Sequence, residues 1–251
     1  MPLKIELVPC LTDNYAYLIE ETQTGLCAVV DPSEAEPVRR ALAGRKLAYI
    51  LNTHHHPDHV GGNLELKAQF GAQVVGPAMD RARIPGIDIG VDEASGWQFG
   101  PLAVQVLEIP AHTRSHIAFV MDGAVFTGDT LFAMGCGRLF EGTAQMLWQA
   151  LEKLMRLPDA TRIYCGHEYT LNNGRFALTL EPGNAALKAR MAEVERLRAN
   201  HTPTIPSTIA LEKATNPFLR PTSIELRRSL GLEHATTIEV IAETRRRKDT
   251  F

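Results

Sequence analysis

At 251 residues, with 45% apolar and 22% charged content, the chain suits one large domain or a domain with an appendage. A net charge of −3 gives no global attraction for nucleic acid or an anionic membrane. No apolar run reaches bilayer-spanning length, and the amino-terminal MPLKIELVPC lacks the pattern of a secretory signal. Cys10, Cys27, Cys136 and Cys165 form no C-x-x-C pair, so free thiols in a reducing cytoplasm are expected.

Ile5 to Val8, Asn14 to Ile19 and Leu26 to Val30 read as strands, the last ending at Asp31-Pro32. Glu34 to Ala43 reads as a helix closed by Gly44. Leu47 to Leu51 is a buried strand that delivers LNTHHHPDHVGGN at its carboxyl end, where strand-to-helix loops carry function. Gly61-Gly62-Asn63 opens a helix through Phe70, and Ala72 to Val75 is a further strand. Residues 77–96 read as loop with some helix. Trp97 to Phe99 and Leu102 to Ile109 are strands, and Ile117 to Met121 with Ala124 to Thr127 make a hairpin about Asp122-Gly123. Gln145 to Arg156 is an amphipathic helix and Thr161 to Cys165 the last expected strand. After about Tyr169 only helices are expected, over 184–199, 222–230 and 236–247. The pattern predicts an α+β fold, with a strand-rich domain over 1–170 and a helical one over 171–251.

His54, His56, Asp58 and His59 crowd four donors into six residues, a set that suits zinc, iron or manganese. Alternate residues of an extended chain share a side, so His54 and His56 can share one ion. Asp58 and His59 follow the bend at Pro57 and can reach a second. His112, Asp129 and His167 each follow a strand and sit near glycine or in a loop, as added ligands should. This predicts one ion on His54, His56 and His112, another on Asp58, His59 and His167, and Asp129 bridging both. Each ion keeps room for a shared water, the open arrangement of a hydrolase rather than a closed structural site. His55 should point away from the ions, and His116 should orient or underlie a ligand. Arg245-Arg246-Arg247-Lys248 lies near the end of a predicted helix, where favourable end charge is the common reading.

The motifs THHHPDHVGGN, AHTRSHI, FTGDTLF, GCGRLFEGT and GHEYT, with the basic tail, resemble those of the metallo-β-lactamase superfamily. Within it the chain closely resembles the glyoxalase II (hydroxyacylglutathione hydrolase) family over essentially its whole length. The resemblance implies a four-layer αβ/βα sandwich with a carboxyl-terminal helical domain that binds glutathione. It also implies hydrolysis of S-D-lactoylglutathione to D-lactate and glutathione, the second step of methylglyoxal detoxification, by a monomer holding two divalent ions, zinc foremost. The family's ligands map onto the seven donors above, with Asp58 and Asp129 catalytic and a metal-bridging hydroxide as the attacking group. Its glutathione contacts map onto Arg138, Phe140, Tyr169, Asn173, Arg245 and Lys248, leaving Arg246 and Arg247 solvated.

Three departures bear on substrate affinity and leave the metal ligands untouched. Phe140 stands where many relatives have Tyr, Arg138 where some have Lys, and Ser115 replaces a common Gly beside Arg114. The rival readings are a glutathione persulfide dioxygenase with a single iron and a non-catalytic metal-binding module. Oxygen uptake with glutathione persulfide would mark the first, and a closed metal site without thioesterase activity the second.

Overall fold

The computed structural model describes residues 3–251; Met1 and Pro2, the first two residues of the amino-terminal stretch read above, lie outside them. The chain divides into two compact units, one running to Glu108 and including Ser115–Gly128, the other made of Ile109–Arg114 and Asp129–Phe251.

The first unit begins with β1 (Leu3–Cys10), β2 (Asn14–Glu21) and β3 (Leu26–Val30), followed by α1 (Ala35–Leu42) and β4 (Leu47–Leu51). The histidine-rich loop contains the single turn α2 (Pro57–Val60) and leads into α3 (Asn63–Phe70). Next come β5 (Gln73–Pro77), β6 (Ile87–Val91), β7 (Trp97–Phe99), β8 (Leu102–Glu108), β9 (Ile117–Met121) and β10 (Ala124–Gly128). Strands β1 to β6 form one sheet in chain order, antiparallel through β3 and parallel from β3 to β6. Strands β7 to β10 pair antiparallel in succession.

Period-two alternation sorts the first sheet's faces. Leu18, Val29, Ile50 and Val74 pack with Val38 and Leu42 of α1 and Leu66 of α3. On the opposite face Tyr17 meets Phe126 of β10 at 5.6 Å, and Tyr49 meets Trp97 edge-on at 4.9 Å. The two sheets therefore share an aromatic core, with helices over the outer face of the first. Strand β6 falls where a loop with some helix is expected. Asp88 and Gly90 interrupt its apolar pattern, and only pairing with β5 makes it a strand.

The second unit holds the short hairpin β11 (Leu131–Phe132) and β12 (Gly135–Cys136), then α4 (Ala144–Met155) and β13 (Arg162–Cys165). The rest is helical: α5 (Thr170–Leu180), α6 (Ala185–Ala199), α7 (Ile209–Thr215), α8 (Ile224–Leu230) and α9 (Thr237–Asp249). One two-residue strand, β14 (Ser207–Thr208), pairs with β13 and corrects the expectation that strands end before Tyr169. Helices α5 and α7 were not expected; α5 is held by packing of Ala177 against Leu187, Met191 and Val194 of α6. Thr236 and Glu239 form a capping box that starts α9, the helix carrying Arg245 and Lys248. Among the described residues no helix is long and apolar enough to cross a membrane.

Candidate metal and substrate site

The parallel pairing of β3 with β4 sets the geometry of the first donor group. It brings the carboxyl ends of both strands to one edge, so Asp31 lies beside Leu51–Thr53, with its N–H on the Leu51 carbonyl at 2.9 Å. The loop is closed by two interlocked amides: Asn63 Nδ2 donates to Asn52 Oδ1 at 2.7 Å, and Asn52 Nδ2 donates to the His59 carbonyl at 3.1 Å. Pro57 starts α2 and turns Asp58 and His59 after the extended His54–His56 segment. His54 and His56 have ring centroids 4.7 Å apart, and His54 and His59 4.2 Å. Asp58 Oδ2 lies 3.6 Å from His59 Nε2. Asn14 Nδ2 donates to both Asp58 Oδ2 and the Asp58 carbonyl, each at 3.0 Å.

The proton pattern suits metal ligation. Asp31 Oδ2 accepts from His59 Nδ1 at 3.1 Å and from the Thr53 hydroxyl at 2.6 Å, and Thr53 Oγ1 meets His54 Nδ1 at 3.0 Å. In both rings Nδ1 is committed to an orienting partner, which leaves Nε2 as the atom available to a metal. Asp31 itself is spoken for at both oxygens, since Oδ1 accepts the Thr53 N–H at 2.8 Å. Asp31, Thr53 and Asn14 escaped the sequence reading. The only local sign was a polar residue at a strand terminus.

His55 turns to Asp80, with Nδ1 2.9 Å from Oδ2, as expected for a residue between two candidate donors. The Ser115 hydroxyl donates to that same Asp80 oxygen, so the Ser departure ties into the His55 anchor. His116 stacks on His54 at 4.6 Å and 20°, beneath the donor as expected.

In the second unit His112, Asp129 and His167 converge. Asp129 Oδ2 lies 3.4 Å from His112 Nε2 and 3.3 Å from His167 Nε2. His112 Nδ1 donates to the Arg138 carbonyl at 2.9 Å, again leaving Nε2 to face the carboxylate. A Cβ at Gly137 would strike the Asp129 carbonyl and come within 2.9 Å of His112 Nδ1. Glycine there permits the close approach of backbone to the donors. Tyr169 stacks on His167 at 4.6 Å and 3°, and Phe140 meets His112 edge-on at 5.1 Å.

Phe140, 62% exposed, also lines a groove of about 430 Å³ with Arg138, Ala144, Arg245, Arg246 and Asp249. Arg245 is buried; Nη1 donates to the Cys136 carbonyl at 2.8 Å, Nη2 lies 3.0 Å from Asp249 Oδ1, and Phe218 lies under the guanidinium. Its buried Nε has no hydrogen-bond partner among the described residues. Lys248 Nζ donates to Asn172 and lies over the rings of Phe176 and Phe251 at 5.5 and 5.1 Å. Burial, with the charges of Arg245 and Arg138, pulls its pKa down to about 8. Asn173 is buried, its amide donating to the Ala133 carbonyl at 3.1 Å, and it does not line the groove. Arg246 pairs with Glu243 in solvent, but Arg247 departs from the solvated role expected of it. Its guanidinium donates to the Ser229 and Leu230 carbonyls at 2.9 and 3.0 Å, closing the end of α8.

The donor sets and the sheet frame are those of the metallo-beta-lactamase superfamily, which matches residues 11–167, while residues 168–251 match the hydroxyacylglutathione hydrolase C-terminus. Proteins named hydroxyacylglutathione hydrolase are 53% identical in Methylococcus capsulatus, over 99% of both chains, and 48% identical in Rhizobium johnstonii, over 100% of this chain and 99% of the relative. The chain belongs to the hydroxyacylglutathione hydrolase family. It is a hydrolase, and its His/Asp clusters bind divalent metal. Among solved structures, ETHE1 from Myxococcus xanthus aligns with a TM-score of 0.67 at 26% identity, covering 100% of both chains. TTHA1623, solved in a di-iron-bound form, aligns with a TM-score of 0.59 at 26% identity, covering 86% of this chain and 100% of that one.

Proposed function

We propose that the protein hydrolyses S-(2-hydroxyacyl)glutathione thioesters, typically S-D-lactoylglutathione to D-lactate and glutathione, the second step of methylglyoxal detoxification. The observation that carries the proposal is Phe140, which touches the His112 ring and also walls the cationic groove of Arg138 and Arg245. A glutathione whose carboxylates meet those cations has its sulfur end directed to the donors. On this reading residues 1–170 are the catalytic domain and 171–251 the glutathione-binding one, supported by the cations that α9 presents.

The donor chemistry fits two ions, zinc foremost, with iron and manganese also suited to imidazole and carboxylate. His54, His56 and His112 would hold one, Asp58, His59 and His167 the other, and Asp129 both. Such ions, when bound, lower the pKa of water and polarise an acyl oxygen. The chain's own residues do the rest. Asp58, fixed by Asn14, orients the attacking water. Arg138, Arg245 and Lys248 hold the tripeptide carboxylates, with Tyr169 flanking His167. Attack on the carbonyl carbon breaks the C–S bond, and glutathione leaves as a thiolate, whose pKa of roughly 8.5 spares the site a general acid. No cysteine competes as nucleophile: burial pushes Cys136 up to about 11 and Cys165 up to about 12.

All four cysteines are free and buried, which supports placement in the reducing cytoplasm; we take the active species as a monomer. The test is S-D-lactoylglutathione turnover with metal counted in the same sample. Turnover at two ions per chain is expected. No turnover at full loading would overturn the reading, and one iron with oxygen uptake on glutathione persulfide would replace it.

A further inference from the structure

We infer that Asp31 is a single positioning residue that sets the proton of both His54 and His59, and so prepares the two metal sites together. The inference rests on the proposed assignment of these two histidines to different ions. The four side chains involved are buried.

The argument is one of donors and acceptors. An ionised carboxylate only accepts. Asp31 Oδ1 takes the Thr53 N–H at 2.8 Å, and Oδ2 lies 2.6 Å from Thr53 Oγ1 and 3.1 Å from His59 Nδ1. His59 must therefore carry its proton on Nδ1. Thr53 has one hydroxyl proton, and it points to Asp31. Its oxygen, 3.0 Å from His54 Nδ1, is left to accept, so His54 too is protonated on Nδ1. One carboxylate acts on one ring directly and on the other through a hydroxyl relay. Both Nε2 atoms are thereby left with the lone pair that ligation requires. Asp31 has φ +48°, in the left-handed region that Asp and Asn tolerate best among side-chain residues.

Asp31→Asn is thus a nearly isosteric test in a backbone conformation that Asn accepts. Its Oδ1 must face the Thr53 N–H, which turns the amide N–H₂ toward Thr53 Oγ1 and His59 Nδ1. His59 Nδ1 then accepts, the Thr53 hydroxyl turns to donate to His54 Nδ1, and both Nε2 atoms gain the proton. Thr53→Val interrupts the relay to His54 alone.

Two measurements follow on the full chain. Long-range proton–nitrogen correlation of nitrogen-labelled, metal-free protein should show His54 and His59 as Nδ1–H tautomers, both reversed in Asp31→Asn. Zinc competition against a chelator should show both ions weakened, each by roughly 10- to 100-fold, in Asp31→Asn, and one ion weakened in Thr53→Val. Unchanged tautomers in Asp31→Asn, or two ions held with wild-type affinity, would overturn the inference. Should Asp31→Asn not fold, Nε2–H tautomers in the wild type, or equal weakening of both ions in Thr53→Val, would overturn it. A wild type that binds fewer than two ions contradicts instead the two-ion assignment, while its tautomers still decide the role of Asp31.

Discussion

Asp129 turns one oxygen, Oδ2, toward Nε2 of His167 at 3.3 Å, and the same oxygen lies 3.4 Å from Nε2 of His112. On the proposed assignment this carboxylate, set between two imidazoles, would serve both ions. Asp129→Asn keeps the shape and removes the charge. It should lower metal affinity by at least about 10-fold, with turnover falling in step. Metal content and kcat measured on the same preparation check this, and near-full turnover at full loading contradicts the bridging role.

The proposed contact of Lys248 with glutathione predicts a pH dependence in KM. Lys248, pulled down to about 8 from its ordinary 10.5, loses its charge as pH rises through 8, so KM for the glutathione thioester should climb above that pH. Lys248→Met should raise KM at pH 7 and flatten the climb. The stability effect has the opposite sense: between about 8 and 10.5 the unfolded chain holds this proton and the folded one does not. Stability therefore gains from Lys248 as pH rises through that window.

Phe140 offers its edge to His112 and much of its surface to solvent, and carries no hydroxyl to bond a ligand. A neutral hydrogen bond contributes about 0.5–1.5 kcal/mol. Phe140→Tyr should then lower KM by roughly 2- to 10-fold and leave kcat nearly unchanged, read from initial rates on one thioester.

Arg190 and Glu212 form a buried pair at 2.6 Å, and Glu212 also accepts the Met134 N–H at 2.8 Å and an Asn216 amide proton at 3.1 Å. Asn216 in turn donates to the Phe132 and Gly135 carbonyls, so the pair braces the β11–β12 hairpin that follows Asp129. Arg190→Leu leaves a buried carboxylate uncompensated and should cost about 3–5 kcal/mol. Denaturant unfolding measures it. A loss below about 1 kcal/mol would show that the pair is dispensable to the fold.

At Gly128, φ is +46°, and a Cβ would collide with Thr53 Oγ1 and the His116 ring. Gly128→Ala should destabilise the protein by about 1–3 kcal/mol and lower its melting temperature by several degrees. Metal content should fall too, because Thr53 orients His54. A variant as stable and as metal-rich as wild type would contradict the packing argument.

The seven candidate donors could be picked out of the sequence because the marks of a metal-binding pattern are local: alternate histidines, a proline bend, and donors following strands. The same locality made β4 and the β9–β10 hairpin readable, since a buried parallel strand is continuously apolar and Asp-Gly favours the tight turn. Strand β6 was not readable, because its polar and glycine positions become a strand only by pairing with β5. Asp31 lies 22 residues before the Thr53 it meets, and Asn14 lies 44 before Asp58. Each is one polar residue at the end of a strand, and its partner is chosen by how strands pair rather than by neighbouring sequence. The six-residue run from His54 to His59, with its four candidate donors, thus determined what kind of chemistry the protein carries. Which nitrogen of each ring holds the proton, and that Arg138 and Arg245 line one groove, was decided only by the tertiary structure, because partners distant in the chain meet only when it folds.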